Sequence, residues 1–304
     1  MTQTSFAARL RSHGTAALLS ITATAGLVAP LAHADGGPIP LRFDASGRPV
    51  VSANVNGEAA FDFVVDTAAQ RTGIGAPVID ELGLEPAPGM QAQIAGVAGH
   101  RTVPMYALDT FEVGGRLVED GYYYSLTGEF DAGGHGHDGI IGQDIFASGR
   151  IVFDWAERTV GFGAGAEAGL GDAVSARLMY GGFFLVPVSV NGVEAIAVID
   201  TGAAESFANP ALLAAMPDRD ETDAVTSQRM GVSQHEIERV EGFAAGIEIG
   251  SARLGTGALT IIDSPTFRTF GLTGTPALIL GMDRLSELRG FALDYDLAVF
   301  RVLQ

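Results

Sequence analysis

The sequence contains no cysteine and no lysine. The first absence excludes disulfides, thiol nucleophiles, cysteine-ligated zinc, iron–sulfur clusters and a lipid anchor on an N-terminal cysteine. The second excludes Schiff-base lysines, Ser/Lys dyads and P-loop lysines. Positive charge is scarce: 36 acidic residues face 18 basic ones, all arginine, for a formal net charge of −18. A polyanion repels phosphate backbones, which argues against nucleic acid as a partner. Long apolar runs are missing as well. Residues 1–34 carry Arg9 and Arg11, then an uncharged small or apolar stretch from Gly14 to Val28, then Pro30 and Ala32-His33-Ala34 before Asp35. That order is the pattern of a cleaved secretory signal, and the run falls short of the about 20 apolar residues a membrane span needs. The sequence thus predicts a mature chain of residues 35–304, without a membrane span, in the periplasm or outside the cell.

Apolar residues make up 47% of the chain, enough for a packed core, and 41 of 304 residues are glycine. An average chain has roughly 7% glycine, so turns and short strands are expected rather than long helices. The chain also repeats itself. Val55-Asn56-Gly57 leads through Phe61–Val65 to Asp66-Thr67-Ala68-Ala69, and Val190-Asn191-Gly192 leads through Ala195–Ile199 to Asp200-Thr201-Gly202-Ala203, with the two aspartates 134 residues apart. Downstream, Gly139–Phe146 is echoed by Leu278–Leu285, whose Asp144 and Asp283 lie 139 residues apart, and Gly149–Asp154 is echoed by Gly290–Asp294. Four blocks in one order at a nearly constant offset indicate a duplicated domain. The small residues from Gly163 to Gly171 read as a linker. They separate an N-terminal lobe, 35–165, from a C-terminal lobe, 172–304.

Strands are expected at Val51–Val55, Phe61–Val65, Val103–Val113, Tyr122–Leu126, Arg150–Phe153, Phe183–Val190, Ala195–Ile199, Phe243–Ile249 and Ala258–Ile262, from their β-branched and apolar content between turn signals. Helical patterns are short: Ala76–Leu82, Pro210–Met216 and Arg284–Leu288. The fold class is therefore all-β, built from small barrels or sandwiches.

In each copy an apolar strand runs into a tight loop that opens with a carboxylate. A pseudo-two-fold axis would set Asp66 against Asp200. Two carboxylates so close cannot both ionise easily, so the pair shares a proton. The ionised member can then take a proton from water while the neutral one polarises a carbonyl, which is hydrolysis without metal or cofactor.

These residues resemble those of the retropepsin-like aspartyl proteases, in the bacterial form with two fused copies. The resemblance rests on the two Asp-Thr loops and on Ile140-Ile141-Gly142 and Ile279-Leu280-Gly281, and it spans most of residues 45–304. It implies a bilobal acid-protease-like fold of two pseudo-symmetric small closed barrels. It implies Asp66 and Asp200 as the catalytic dyad, with Thr67, Thr201 and Gly202 in support. Gly96 and Gly99, within Ile94–His100, would belong to a flap over the substrate; the other reading is an ordinary surface hairpin. The substrate would be a peptide or protein, and one chain would suffice for the dyad. The first copy departs from the pattern at Ala68, where the family has glycine, and a methyl there would crowd the substrate or shift Asp66. That departure keeps a second reading open, a non-catalytic peptide-binding or scaffold homologue. A third is a metal-dependent hydrolase centred on His135 and His137, against which that segment reads as a solvated loop. Asp144 and Asp283 are expected to cap a helix or turn. Tyr122–Tyr124 are expected to alternate between core and surface, and Asp218–Asp223 to form a solvated loop.

Overall fold

The computed structural model describes residues 32–33, 37–96, 99–126, 137–163, 169–180, 182–216, 228–230, 236–238 and 241–304. The structure is built mainly of strands. In the first lobe the hairpin Pro49–Val55/Ala59–Val65 turns at Asn56-Gly57, both at positive φ (54° and 68°), the backbone that Asn-Gly supplies most readily. Ala59–Val65 runs parallel to Gly139–Ile141, which pairs with Gly73–Ile74, then Arg116–Ser125, then Gly99–Val113, which returns to Pro49–Val55. The ring is closed by six strands. The second lobe repeats it with Phe183–Val190, Val193–Ile199, Ala277–Leu280, Phe207–Ala208, Ala252–Ile261 and Glu241–Ile249. The all-β bilobal architecture is the one the duplicated sequence predicts.

A third sheet joins the lobes. Arg150–Asp154 pairs antiparallel with Gly290–Asp294, with Arg150 opposite Asp294, Val152 opposite Ala292 and Asp154 opposite Gly290. Repeated positions are thus exchanged across the pairing, so the pseudo-two-fold axis passes between Val152 and Ala292. Phe153 and Phe291 pack against each other across it, their rings tilted by 39° with centroids 5.0 Å apart. The Arg150 guanidinium donates to Asp294 Oδ2 at 2.7 and 3.0 Å, which ties one lobe to the other.

The structure departs from the sequence reading in several places. The strand Leu170–Ser175 pairs with Val299–Leu303, so Leu170 and Gly171 belong to the shared sheet rather than to a free linker; residues 164–168 lie outside the described part. Tyr122 is exposed, but Tyr123 and Tyr124 are both buried. The strand does alternate, yet both of its faces are covered. Helices also form at Gln143–Phe146 and Pro265–Thr269. Residues 1–31, His135 and Asp218–Asp223 lie outside the described residues. No helix among the described residues is long and apolar enough to cross a membrane.

Candidate active site

The strands Ala59–Val65 and Val193–Ile199 end in runs of buried apolar residues. Each hands the chain to an aspartate whose amide donates to the neighbouring parallel strand: Asp66 to the Ile141 carbonyl and Asp200 to the Leu280 carbonyl, both at 3.0 Å. The chain then doubles back beneath the loop, where the amides of Gln143 and Met282 donate to the carbonyls of Ala69 and Ala203, both at 2.8 Å. The two Ile/Leu-Gly blocks therefore lie directly behind the Asp loops. Their glycines are required by close approach: a Cβ on Gly142 would stand 2.5 Å from the Arg71 carbonyl carbon, and one on Gly281 2.8 Å from the Ala203 oxygen.

At the axis the loops interlock. Thr67 Oγ1 donates to the Ile199 carbonyl at 2.9 Å and accepts the Thr201 amide at 3.1 Å. Thr201 Oγ1 donates to the Val65 carbonyl at 2.5 Å and accepts the Thr67 amide at 3.1 Å. Each hydroxyl thus bonds backbone of the opposite lobe, which fixes the two aspartates relative to each other.

Asp66 and Asp200 are fully buried. Asp66 Oδ1 accepts the Ala68 amide at 2.8 Å, and Asp200 Oδ1 accepts the Ala203 amide at 2.9 Å. The Oδ2 of each has no protein partner. Gly202 lies against the Asp66 carboxylate: a Cβ built on it would stand 2.2 Å from Oδ2. Burial and then the charge of Asp200 push the Asp66 carboxyl well above the ordinary range, against the amides of Ala68 and Ala69 and the charge of Arg48. Burial pushes Asp200 up to about 7, against the amides of Ala203 and Gly202 and the same arginine. Burial thus raises both carboxyls, and the charge of Asp200 adds to it at Asp66, so the pair holds a proton where free carboxylates would not.

A family model described as aspartyl protease matches residues 51–145 and again 186–284. The chain belongs to the aspartyl protease family. The two matched regions correspond to the two fused copies. No curated protein matches the chain.

In this family member Ala68 replaces a loop glycine, and the structure shows where its methyl goes. Ala68 is buried with Phe183, Leu185, Val198, Phe267 and Phe270 of the second lobe. The methyl is part of the inter-lobe packing, and φ at Ala68 is not positive. Ala68→Gly is accordingly expected to lower stability by about 1–2 kcal/mol, from one lost buried methyl and a freer unfolded chain. A drop in the urea midpoint at unchanged m-value checks it.

The structure corrects the expectation for Asp144 and Asp283. Glycines 142 and 281 occupy the helix N-caps, without a side-chain cap. Asp144 Oδ1 instead accepts the amide (2.9 Å) and hydroxyl (2.8 Å) of Thr72, whose Oγ1 accepts the Gly142 amide at 3.1 Å. Asp283 Oδ1 accepts the amide (2.8 Å) and hydroxyl (2.6 Å) of Ser206, whose Oγ accepts the Gly281 amide at 2.9 Å. These pairs brace the chain just past each Asp loop. A signal for them was present, since Thr72 and Ser206 each stand six residues after their aspartate. Gln143, whose side-chain amide donates to the Thr67 carbonyl at 2.9 Å, has methionine at its counterpart and left no such trace.

Gly96 and Gly99 face each other at the end of the hairpin formed by Pro86–Gly96 and Gly99–Val113; residues 97–98 lie outside the described part. Ala92, Ile94, Val103 and Met105 pack this hairpin onto Val50, Val64 and Tyr124 of the barrel. The comparable place in the second lobe holds the shorter hairpin Gln228–Met230/Glu236–Glu238. The segment read as a solvated loop is anchored where it is described: the His137 side chain is 1% exposed, with Arg48 Nη2 at 2.8 Å from its Nε2, and Asp138 Oδ2 accepts the Asp62 amide at 2.8 Å. Among the described residues no group of three His, Asp or Glu side chains is placed to hold a metal ion.

Proposed function

We propose that this protein is an aspartic endopeptidase in which Asp66 and Asp200 activate one water molecule for attack on a peptide carbonyl. The observation that carries this reading is the interlocked loop pair. It holds two carboxylates with one oxygen each bound by an amide and one oxygen each without a protein partner. Asp200, ionised, takes a proton from water as its oxygen adds to the carbonyl carbon. Asp66, neutral, donates its proton to the carbonyl oxygen. Collapse of the tetrahedral species returns one proton to the leaving amine and leaves one on the pair, so the dyad ends as it began. The hairpin tip at Gly96 and Gly99 would close over the bound peptide. The packing of the Ala68 methyl into the second lobe favours this reading over a non-catalytic peptide binder. The leader-like residues 1–34 support export to the periplasm or beyond the cell, and one chain supplies both half-sites.

The test is the rate of cleavage across a pH series. Lowering the pH protonates Asp200 and removes the base; raising it strips Asp66 and removes the acid. Burial raises both carboxyls, so the bell is expected on the weakly acidic to neutral side rather than in the range of free carboxylates. Ionic strength should be held fixed, because screening modulates the field of a chain with net charge −18. A rate that climbs steadily into alkaline buffer would sink the dyad mechanism, and peptide binding without cleavage at any pH would favour the binder.

A further inference from the structure

Arg48 is 2% exposed, yet it carries a full charge inside the first lobe. Its Nε donates to Asp44 Oδ2 at 2.8 Å, and its Nη2 lies 2.7 Å from the same oxygen. Asp44 Oδ1 in turn accepts the amides of Ser46 (2.8 Å) and Arg48 (2.9 Å), which closes a tight turn. The Nη2 of Arg48 also contacts His137 Nε2 at 2.8 Å. A guanidinium only donates, so His137 accepts through Nε2 and is a neutral imidazole with its proton on Nδ1.

The hairpin places this group at the dyad's end of the first lobe. Val50 and Val64 are its last paired residues, and Arg48 and Asp66, both buried, each lie two residues beyond them. In the second lobe the last pair is Leu185 with Val198, and the residue two positions beyond Leu185 is the apolar Phe183, so that lobe brings no cation to the corresponding place.

Burial alone drives both aspartates toward the neutral form, which would leave no base. We propose, on the protease reading above, that Arg48 is a positioning residue of the dyad: its charge, oriented by Asp44 and His137, keeps one of the two carboxyls ionised. The charge of Arg48 acts on both Asp66 and Asp200 in that direction. Among the described residues, the charged and titratable groups in contact with Arg48 are Asp44 and His137, and the two aspartates feel its charge.

The experiment compares the pH profile of kcat/KM in wild type, Arg48→Gln, Arg48→Lys and Asp44→Asn. Arg48→Gln weakens the ionised form, so both limbs move to higher pH, and the rate at a fixed pH on the acidic limb falls about tenfold, the effect of a one-unit displacement. Asp44→Asn keeps an acceptor for the Ser46 and Arg48 amides but uncovers the cation, so both limbs move to lower pH. Arg48→Lys keeps the charge and the wild-type limbs. Damage to the fold lowers the rate at every pH and moves neither limb. Because Arg48→Gln leaves a buried carboxylate without its cation and can unfold the chain, Asp44→Asn decides on its own: unmoved limbs in that folded variant overturn the proposal. If the wild type cleaves nothing at any pH, the protease reading fails by itself. Carbon-13 titration of the Asp66 and Asp200 carboxyls, in wild type and in Asp44→Asn, then decides the Arg48 proposal. A downward displacement in the variant supports it, and coincident curves overturn it.

Discussion

Asp200→Asn is expected to lower kcat by at least about a thousandfold, the upper part of the range for loss of a positioned general base. An amide cannot take the proton from water, and no other described base bonds into the site. Asp66→Asn is expected to do the same by removing the acid. The fold should survive in both, because the Asp Oδ1 that accepts the Ala68 or Ala203 amide is replaced by an amide oxygen of the same shape. Thermal unfolding against pH separates loss of chemistry from loss of structure. Both carboxyls titrate higher in the folded chain than in the unfolded one. Their contribution to stability is therefore full below the unfolded value near 4 and is lost as pH rises through the folded value. Asp200→Asn removes that loss, so the variant should be the more stable protein at neutral pH while being inactive. Near wild-type turnover in either variant would show that the two-carboxylate mechanism is wrong for this chain.

Gly202→Ala is expected to reduce kcat/KM by about a hundredfold, the scale of an ångström misplacement of a catalytic group. The new methyl would stand 2.2 Å from Asp66 Oδ2 and 2.3 Å from its Cγ, a separation that forces the carboxylate or the loop to move. The loop is gripped on both sides by the threonines, so the carboxylate gives way. The contrast with Ala68 is informative, because the two positions are equivalent in the repeat. At Ala68 the methyl already has a place among Phe183, Leu185 and Phe270. Adding a methyl at 202 should damage catalysis more than stability, and removing the one at 68 should damage stability more than catalysis. Steady-state kinetics beside urea unfolding of both variants checks the crossover. Wild-type kcat/KM in Gly202→Ala would show that the carboxylate is free to move.

The two aspartates were legible in the sequence because chemistry and repetition coincide there: an apolar strand, Asp-Thr, and an Ile/Leu-Gly block, each twice. The barrel strands were legible where β-branched residues fill them, as in Phe183–Val190. The strand Pro86–Gly96 was not, because its proline, glycine, glutamine and alanine carry little strand preference. It is a strand because Gly99–Val113 pairs with it, and it tolerates its prolines at the edge of the sheet. The helix Met282–Leu285 starts two residues earlier than the apolar pattern predicts, since Gly281 at the N-cap sets its beginning.

The sequence by itself determined the duplication, the all-β class, the pair of aspartates and the threonines beside them, because each is written in local composition or in repeated order. Tertiary structure alone decided what depends on contacts between distant segments. It made Asp144 and Asp283 braces rather than caps, because Thr72 and Ser206 arrive from residues 72 and 77 positions away. It turned the Ala68 methyl into inter-lobe packing, because the second lobe offers an apolar surface at that point. It also brought Asp44, Arg48 and His137 together, with His137 lying 89 residues beyond Arg48. Such partners leave no periodic trace in a sequence. The charges of Asp44 and Arg48 are stable in the interior only because each finds the other there, and the neutral His137 joins them only once the barrel has closed.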